Sequence, residues 1–267
     1  MAHTPNDSTF ETKIINMSDR YSRNRIYLTT EEQEIIKNSP LILGGSGIGS
    51  VIAECALRLG FENITIIDGD HVEESNLNRQ NYTENDINVD KTEAIKDRLL
   101  AINSKAKITV HNTFLTVDNV EEYIKGHKIA INALDFTTDV PLVFDKVCQE
   151  NNIPVLHPYN LGWGGLVTVI APDGLLLDSI KKPGGDHFSE VNVVEYASNY
   201  LKFWGTPHTW IDEIIAKYKA EKEPLSPPQL SVASWTVAAM CAHIAYNITT
   251  GKEYKKFPEF YLSTILS

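Results

Sequence analysis

The sequence predicts an α/β fold: a doubly wound, mostly parallel sheet of the Rossmann type, with an antiparallel extension and a C-terminal helix. Three observations carry this expectation. Leu41-Ile42-Leu43 runs into the glycine turn Gly44-Gly45-Ser46-Gly47-Ile48-Gly49, then a helical stretch, then a second apolar run closing on Asp68. Strand-like and helix-like segments alternate from there to about residue 157. Beyond that point the pattern changes to a strand that ends in the turn Pro172-Asp173-Gly174, and later to one long apolar helix over 230–248.

Taken in order, Thr29-Thr30-Glu31-Glu32-Gln33 reads as a capped helix start. Residues 50–59 place Val51, Ile52, Cys55, Ala56 and Leu59 on one helical side, and Gly60 ends that helix before the strand Ile64-Thr65-Ile66-Ile67. The spacing then predicts a helix over 90–102, a strand over 107–111 and a short helix over 118–126. A strand over 128–133, a helix over 139–151 and a strand over 153–156 follow, and Leu166 to Ile170 forms the added strand. Residues 1–17 read as a flexible arm. Residues 18–267 read as one domain carrying an insertion or lid at about 175–228, marked by Pro183-Gly184-Gly185 and by Pro224, Pro227 and Pro228.

Composition narrows the function. The 267 residues carry 24 Lys and Arg against 35 Asp and Glu, a formal net charge of -11, which argues against a nucleic-acid partner because phosphate neutralisation needs clustered cations. The most apolar run, 230–248, contains Ser231, Ser234, Thr236, His243 and Asn247, so a buried helix is expected and no membrane partner. Cys55, Cys148 and Cys241 form no C-x-x-C pair, so neither a disulfide framework nor zinc is expected, and a cytoplasmic location follows most simply.

The chemistry begins at the glycine turn. Glycines let the backbone approach a phosphate, and the following helix offers it free N–H groups and the positive end of its dipole. Asp68, at the end of the second strand, is placed to accept hydrogen bonds from ribose hydroxyls. The turn alone leaves NAD, FAD and ATP open.

The segment Asp68-Gly69-Asp70-His71-Val72-Glu73-Glu74-Ser75-Asn76-Leu77-Asn78-Arg79-Gln80 separates them. It resembles the signature D-x-D-x-V-x-x-S-N-L-x-R-Q of the ThiF/MoeB/HesA family, in the ubiquitin-activating-enzyme superfamily of adenylyltransferases. Arg20-Tyr21-Ser22-Arg23 resembles that family's N-terminal R-Y-x-R-Q, with Asn24 in place of Gln. Lys91, Asp135 in Asn132-Ala133-Leu134-Asp135-Phe136, and the closing helix with its Thr250-Gly251 tail agree in order. The resemblance implies ATP-dependent adenylation of a carboxylate, giving acyl-AMP and pyrophosphate. It implies that Gly44, Gly45, Ser46, Gly47 and Gly49 face the phosphates, that Asp68 holds the ribose, and that Ser75, Asn76, Arg79 and Lys91 surround the triphosphate. It further implies that Asp135 binds Mg²⁺ and that Arg23 reaches the site of the partner subunit in a homodimer. The acceptor it implies is a small carboxylate-bearing protein or a peptide, such as a ubiquitin-like or sulfur-carrier C-terminus.

The sequence departs from the family at three further points. Ser46 stands where a close-approach glycine is usual; its side chain takes up room near the phosphates, while its hydroxyl is able to donate to them. Phe136 replaces a polar residue, implying an altered adenine or substrate contact. No cysteine lies in 157–228, where relatives carry a nucleophile, and the three cysteines read as small buried hydrophobes. The reaction is therefore expected to stop at the acyl-adenylate or to pass it to a nucleophile from another molecule. A non-catalytic nucleotide-binding scaffold and an NAD(P)-dependent oxidoreductase stand as alternatives. His157 reads as a loop histidine, with a place in the lining of the substrate channel as the alternative, and the Trp163 loop lies near where the acceptor tail is expected to enter.

Overall fold

The computed structural model describes residues 19–181, 187–222 and 225–266. The arm expected over 1–17 and part of the expected lid lie outside the described residues. Thr29 caps the first helix, α1 (Thr30–Lys37), in a capping box: its hydroxyl accepts from the Glu32 N–H at 3.1 Å, and Glu32 accepts from the Thr29 N–H at 2.9 Å. The alternating unit then runs β1 (Leu41–Gly44), α2 (Gly47–Leu59), β2 (Asn63–Asp68), α3 (Lys91–Ile102), β3 (Lys107–Asn112), α4 (Val120–Ile124), β4 (Ile129–Asn132), α5 (Val140–Glu150) and β5 (Val155–Asn160). Next come β6 (Gly164–Ile170), α6 (Glu190–Phe203), α7 (Thr209–Lys219), α8 (Ser231–Thr249) and β7 (Phe260–Thr264).

These strands form one seven-stranded sheet in the order β3-β2-β1-β4-β5-β6-β7. Strands β1 to β5 are mutually parallel, whereas β5–β6 and β6–β7 are antiparallel. Both faces are covered, so β1 and β4 are buried at every position, as parallel strands in such folds are. Pleating sorts their side chains. Leu41, Leu43, Ile129 and Ile131 pack with α2, α3 and α8, while Ile42, Ala130 and Val155 pack with α4, α5, α6 and α7.

The antiparallel extension is larger than the sequence predicts. Strand β7 pairs Leu262 with Leu166 and covers β6, although five residues among turns gave no periodic signal. Strand β5 runs on through Pro158 to Asn160 and places His157 in the sheet rather than in a loop. Helix α2 begins at Gly47, three residues before the predicted start, because its first turn is made from the glycine motif itself. Cys148 and Cys241 are buried and Cys55 partly so; loss of solvation raises all three thiols above their ordinary pKa, which suits apolar packing rather than thiolate chemistry.

Candidate functional site

The chain leaves β1 through α2 toward β2 on one side and returns through α4 to β4 on the other. The crevice past the carboxyl ends of β1 and β4 is thus the switch point at which open α/β sheets bind ligands. Two hydrogen bonds fix its floor: the Gly45 N–H donates to the Ile67 carbonyl at 2.9 Å, and the Ala133 N–H to the Gly44 carbonyl at 2.8 Å. Gly45 has φ +89°, and a Cβ there would lie 2.5 Å from the Ala133 oxygen, so only glycine fits. Gly47 opens α2 directly over this floor and Gly49 packs on Leu43 and Ala133.

A cleft of about 570 Å³ opens beside the turn. Ile48 from the first turn of α2 lines it, with Arg79, residues 132–137 and residues 157–161. Its far wall comes from the predicted insertion and the residue after it: Glu190 and Val194 of α6, Ile214 and Tyr218 of α7, and the strap 225–229.

Arg79 and Asp135 therefore meet in one cleft. The Nε–H of Arg79 donates to Gln229 Oε1 at 2.7 Å, and Nη1 donates to the Ser75 carbonyl and to Asn78 Oδ1, both at 2.8 Å. Both N–H groups of Nη2 are left without a partner among the described residues. Partial burial lowers the Arg79 pKa, and the nearby Asp135 carboxylate opposes that shift. Asp135 itself presents an exposed carboxyl at the mouth. Crowding by protein atoms, then repulsion from Glu190, raises its pKa, and Lys91 pulls it back. No ion pair engages Asp135 among the described residues.

Lys91 begins α3 and is largely buried. Its Nζ sits 3.0 Å from Asp70 Oδ2, and it stands within electrostatic reach of Asp135 without lining the cleft. Asn76 is buried and accepts the Glu73 N–H at 3.0 Å, closing a turn that holds Arg79; Ser75 is exposed and donates to Glu73 at 3.2 Å. Arg23 is exposed on the 3₁₀ turn Asp19–Asn24 and is not among the residues lining the cleft of its own chain.

The expectation for Ser46 is corrected. Its hydroxyl donates to Asp68 Oδ2 at 2.8 Å, alongside its own N–H at 2.6 Å, and accepts from the Tyr82 hydroxyl at 3.1 Å. Ser46 is fully buried, so its oxygen faces Asp68 and not a phosphate. Asp68 also accepts the Asp70 N–H at 2.8 Å, so three donors already fix a carboxylate that has about four lone-pair positions. The loop reading of His157 is likewise corrected: it lies in β5, buried, and lines the cleft, in keeping with the alternative reading. Phe136 lies in the cleft wall, its ring 6.0 Å from that of His157 and 5.5 Å from that of Phe188. Sequence reasoning missed Glu190, which accepts the Phe136 N–H at 3.0 Å, Gln229, and Asp145, which lies behind His157. No local signal marks any of the three, since each acts across the fold.

Among the described residues no group of three or more His, Cys, Asp or Glu is arranged for a metal ion, and no helix is long and apolar enough to cross a membrane. A glycine turn at a sheet switch point, with an arginine and an unpaired aspartate facing one cleft, is the place where open α/β proteins bind ligands. The model of the ThiF family matches residues 21–265, and the chain belongs to that family. It is 30% identical over 162 residues to the sulfur carrier protein ThiS adenylyltransferase of Bacillus subtilis, covering 58% of this chain and 48% of that protein. It is 34% identical over 117 residues to the tRNA threonylcarbamoyladenosine dehydratase of Escherichia coli, covering 43% of each. The chain thus spans less than half the length of these relatives. Among solved structures, Escherichia coli MccB with ATP superposes with a TM-score of 0.67 at 18% identity, over 94% of this chain and 73% of that one. PaaA superposes with a TM-score of 0.67 at 18% identity, over 98% and 75%. At this identity the two structures speak for the fold.

Proposed function

We propose that this chain adenylates a carboxylate, joining it to AMP with release of pyrophosphate, and that the carboxylate is the C-terminus of a small protein or peptide. The observation that carries this reading is the meeting of Arg79 and Asp135 in the cleft beside the glycine turn. A carboxylate is ionised at neutral pH and needs no base to attack the α-phosphorus. What the step needs is stabilisation of charge that builds on the phosphate oxygens and on leaving pyrophosphate. The first-turn N–H groups of α2 and the open Nη2 of Arg79 supply donors, and Lys91, held by Asp70, adds a nearby cation. Asp68, already fixed by Ser46 and Asp70, keeps room for one ribose hydroxyl.

Magnesium fits this donor set: one carboxylate with nucleotide phosphates and water completing the shell is its usual arrangement, and Asp135 is that carboxylate. When bound there, the ion would neutralise charge on the phosphates. The relatives' names support the acceptor class, since they include a ThiS adenylyltransferase and a ubiquitin-like modifier-activating enzyme 5. The domain is taken as 18–267 with the 175–228 insertion as cover for the acceptor tail. A homodimer in which Arg23 serves the partner's site belongs to the same reading, as does a cytoplasmic location.

Of the alternatives, a non-catalytic scaffold is disfavoured by the open guanidinium of Arg79 and the unpaired carboxylate of Asp135 in one cleft. An oxidoreductase gives Arg79 and Asp135 no task. The test is ATP–pyrophosphate exchange on the full chain with peptides and small proteins ending in Gly-Gly. Arg79→Ala and Asp135→Ala are each expected to lower exchange by about 100-fold or more. Exchange at the unaltered rate in both variants overturns the assignment.

A further inference from the structure

Behind the cleft lies a polar pair that adenylation does not use. Asp145 on α5 and His157 on β5 are each 1% exposed, and His157 Nε2 lies 2.6 Å from Asp145 Oδ1. Asn132 fixes that carboxylate in turn: its Nδ2 donates to Asp145 Oδ1 at 2.9 Å and to the Pro141 carbonyl at 2.8 Å. The aspartate is only half satisfied, because Oδ2 is buried with no hydrogen-bond partner among the described residues. The imidazole stacks with the rings of Phe136 and Tyr159, at 6.0 and 6.2 Å. It forms part of the cleft lining together with Asp135 and Glu190.

An acceptor carboxylate on one ring nitrogen settles which nitrogen carries the proton. A neutral ring that donates from Nε2 to the Asp145 carboxylate keeps its lone pair on Nδ1. Nδ1 makes no hydrogen bond to any described residue. A core histidine placed only for packing would not need an oriented carboxylate, a supporting amide and a position in the wall of a ligand cleft. Base and orienting carboxylate are the parts of a proton-accepting pair, and the bare nitrogen is the missing neighbour of a substrate group.

We propose that His157, oriented by Asp145, accepts the proton of an amine that takes the acyl group from AMP. This rests on the adenylation reading and adds the second half of the reaction. The amine nitrogen forms a bond to the acyl carbon, and the bond from that carbon to the AMP phosphate oxygen breaks. AMP leaves with the electron pair, and the N–H proton passes to Nδ1. No oxidant or reductant is involved. An amine is the class that the cleft suits. It arrives as an ammonium ion that Asp135 and Glu190 attract, loses one proton to solvent to become nucleophilic, and sheds a second, the one that passes to Nδ1, as the amide forms. Such a base is superfluous for a thiolate, and Cys148 and Cys241 are buried with their thiols held protonated. His157 is the catalytic residue of this step and Asp145 its positioning residue.

Two measurements test this on the full chain. Histidine-selective ¹⁵N NMR at neutral pH needs no substrate: His157 should show a protonated Nε2 and a bare Nδ1, and Asp145→Asn should disturb that preference. A ring protonated on Nδ1, or on both nitrogens, overturns the proposal. The second uses ATP, a peptide ending in Gly-Gly, and methylamine as probe nucleophile, with pyrophosphate exchange and peptide methylamide read in parallel. His157→Gln should lower methylamide formation about 100-fold more than it lowers exchange. His157→Ala should regain part of the loss on addition of imidazole. Equal losses of both readouts, without imidazole rescue, would mean that His157 serves only the shape of the cleft. If the unaltered chain exchanges no pyrophosphate with any peptide, the adenylation reading fails and takes this step with it. Normal exchange with undiminished capture in His157→Gln sinks the capture step alone.

Discussion

Two buried carboxylates, one on each face of the sheet, are built on opposite plans. Glu54 of α2 is 4% exposed and saturated: Arg98 Nε donates to Oε2 at 2.6 Å, Arg58 Nε to Oε1 at 2.8 Å, and Asn81 Nδ2 also donates to Oε2. Asp145 of α5 has one titratable partner, one amide and an unpartnered oxygen. Glu54 ties α2 to α3 through Arg98, with Arg58 of its own helix beside it, and both guanidinium groups stay charged at every accessible pH, so it behaves as a rivet. Asp145 meets a ring that can take up or release a proton, and that ring forms part of the wall of the cleft. The difference teaches that burial of an acid does not by itself mark function. The partner's chemistry, and whether it opens on a ligand space, separates the two.

The contrast can be broken in three ways. Replacing both Arg58 and Arg98 by methionine strips Glu54 of its cations and should cost about 3–5 kcal/mol in urea unfolding, since an uncompensated buried charge remains. Asp145→Asn should cost less, about 1–2 kcal/mol, because its neighbours are an amide and an imidazole and one hydrogen bond is at stake. If Asp145→Asn proves the more destabilising, the rivet and the base have been assigned to the wrong carboxylates. The smallest effect is on pH dependence. Burial alone would lift the Glu54 pKa, but hydrogen bonds and charge from Arg98 and Arg58 outweigh it and hold the pKa below its ordinary value. A depressed folded-state pKa gives stability that is complete above the unfolded value of about 4.3 and is lost as pH falls through the folded one. The urea midpoint should therefore drop below about pH 4.3, and drop less steeply in Glu54→Gln. An equal acid slope in the two proteins would remove Glu54 from the account.

What could be read from the sequence was local. The unit from Leu41 to Asp68 was legible because strand, turn, helix and strand follow within one short stretch, and because only glycine satisfies the +89° φ at Gly45. Arg79, Lys91 and Asp135 could be named from motif order, and the structure places Arg79 and Asp135 on the cleft while Lys91 stands behind Asp70. The missed features are all products of tertiary packing. Arg79 and Gln229 meet across 150 positions. Asp145 and His157 are only 12 apart, yet they lie on a helix and a strand whose contact no periodicity reveals. Strand β7 exists because β6 offers it an edge to pair with. Ser46 was misread because a hydroxyl beside a phosphate turn suggests a phosphate donor, whereas the nearer acceptor is the carboxylate of Asp68 at the end of the neighbouring strand.

The tether between Arg79 and Gln229 makes the strap and the guanidinium share one fate. Lifting the strap away from the cleft breaks a hydrogen bond to a charged group, worth about 1.5–3 kcal/mol, and sets the Nε–H of Arg79 loose. An anion that recruits that same N–H competes with Gln229 and loosens the latch. In the proposed reaction, access for the acceptor tail and the grip on the nucleotide would thereby be coupled through a single side chain, with no hinge required between them.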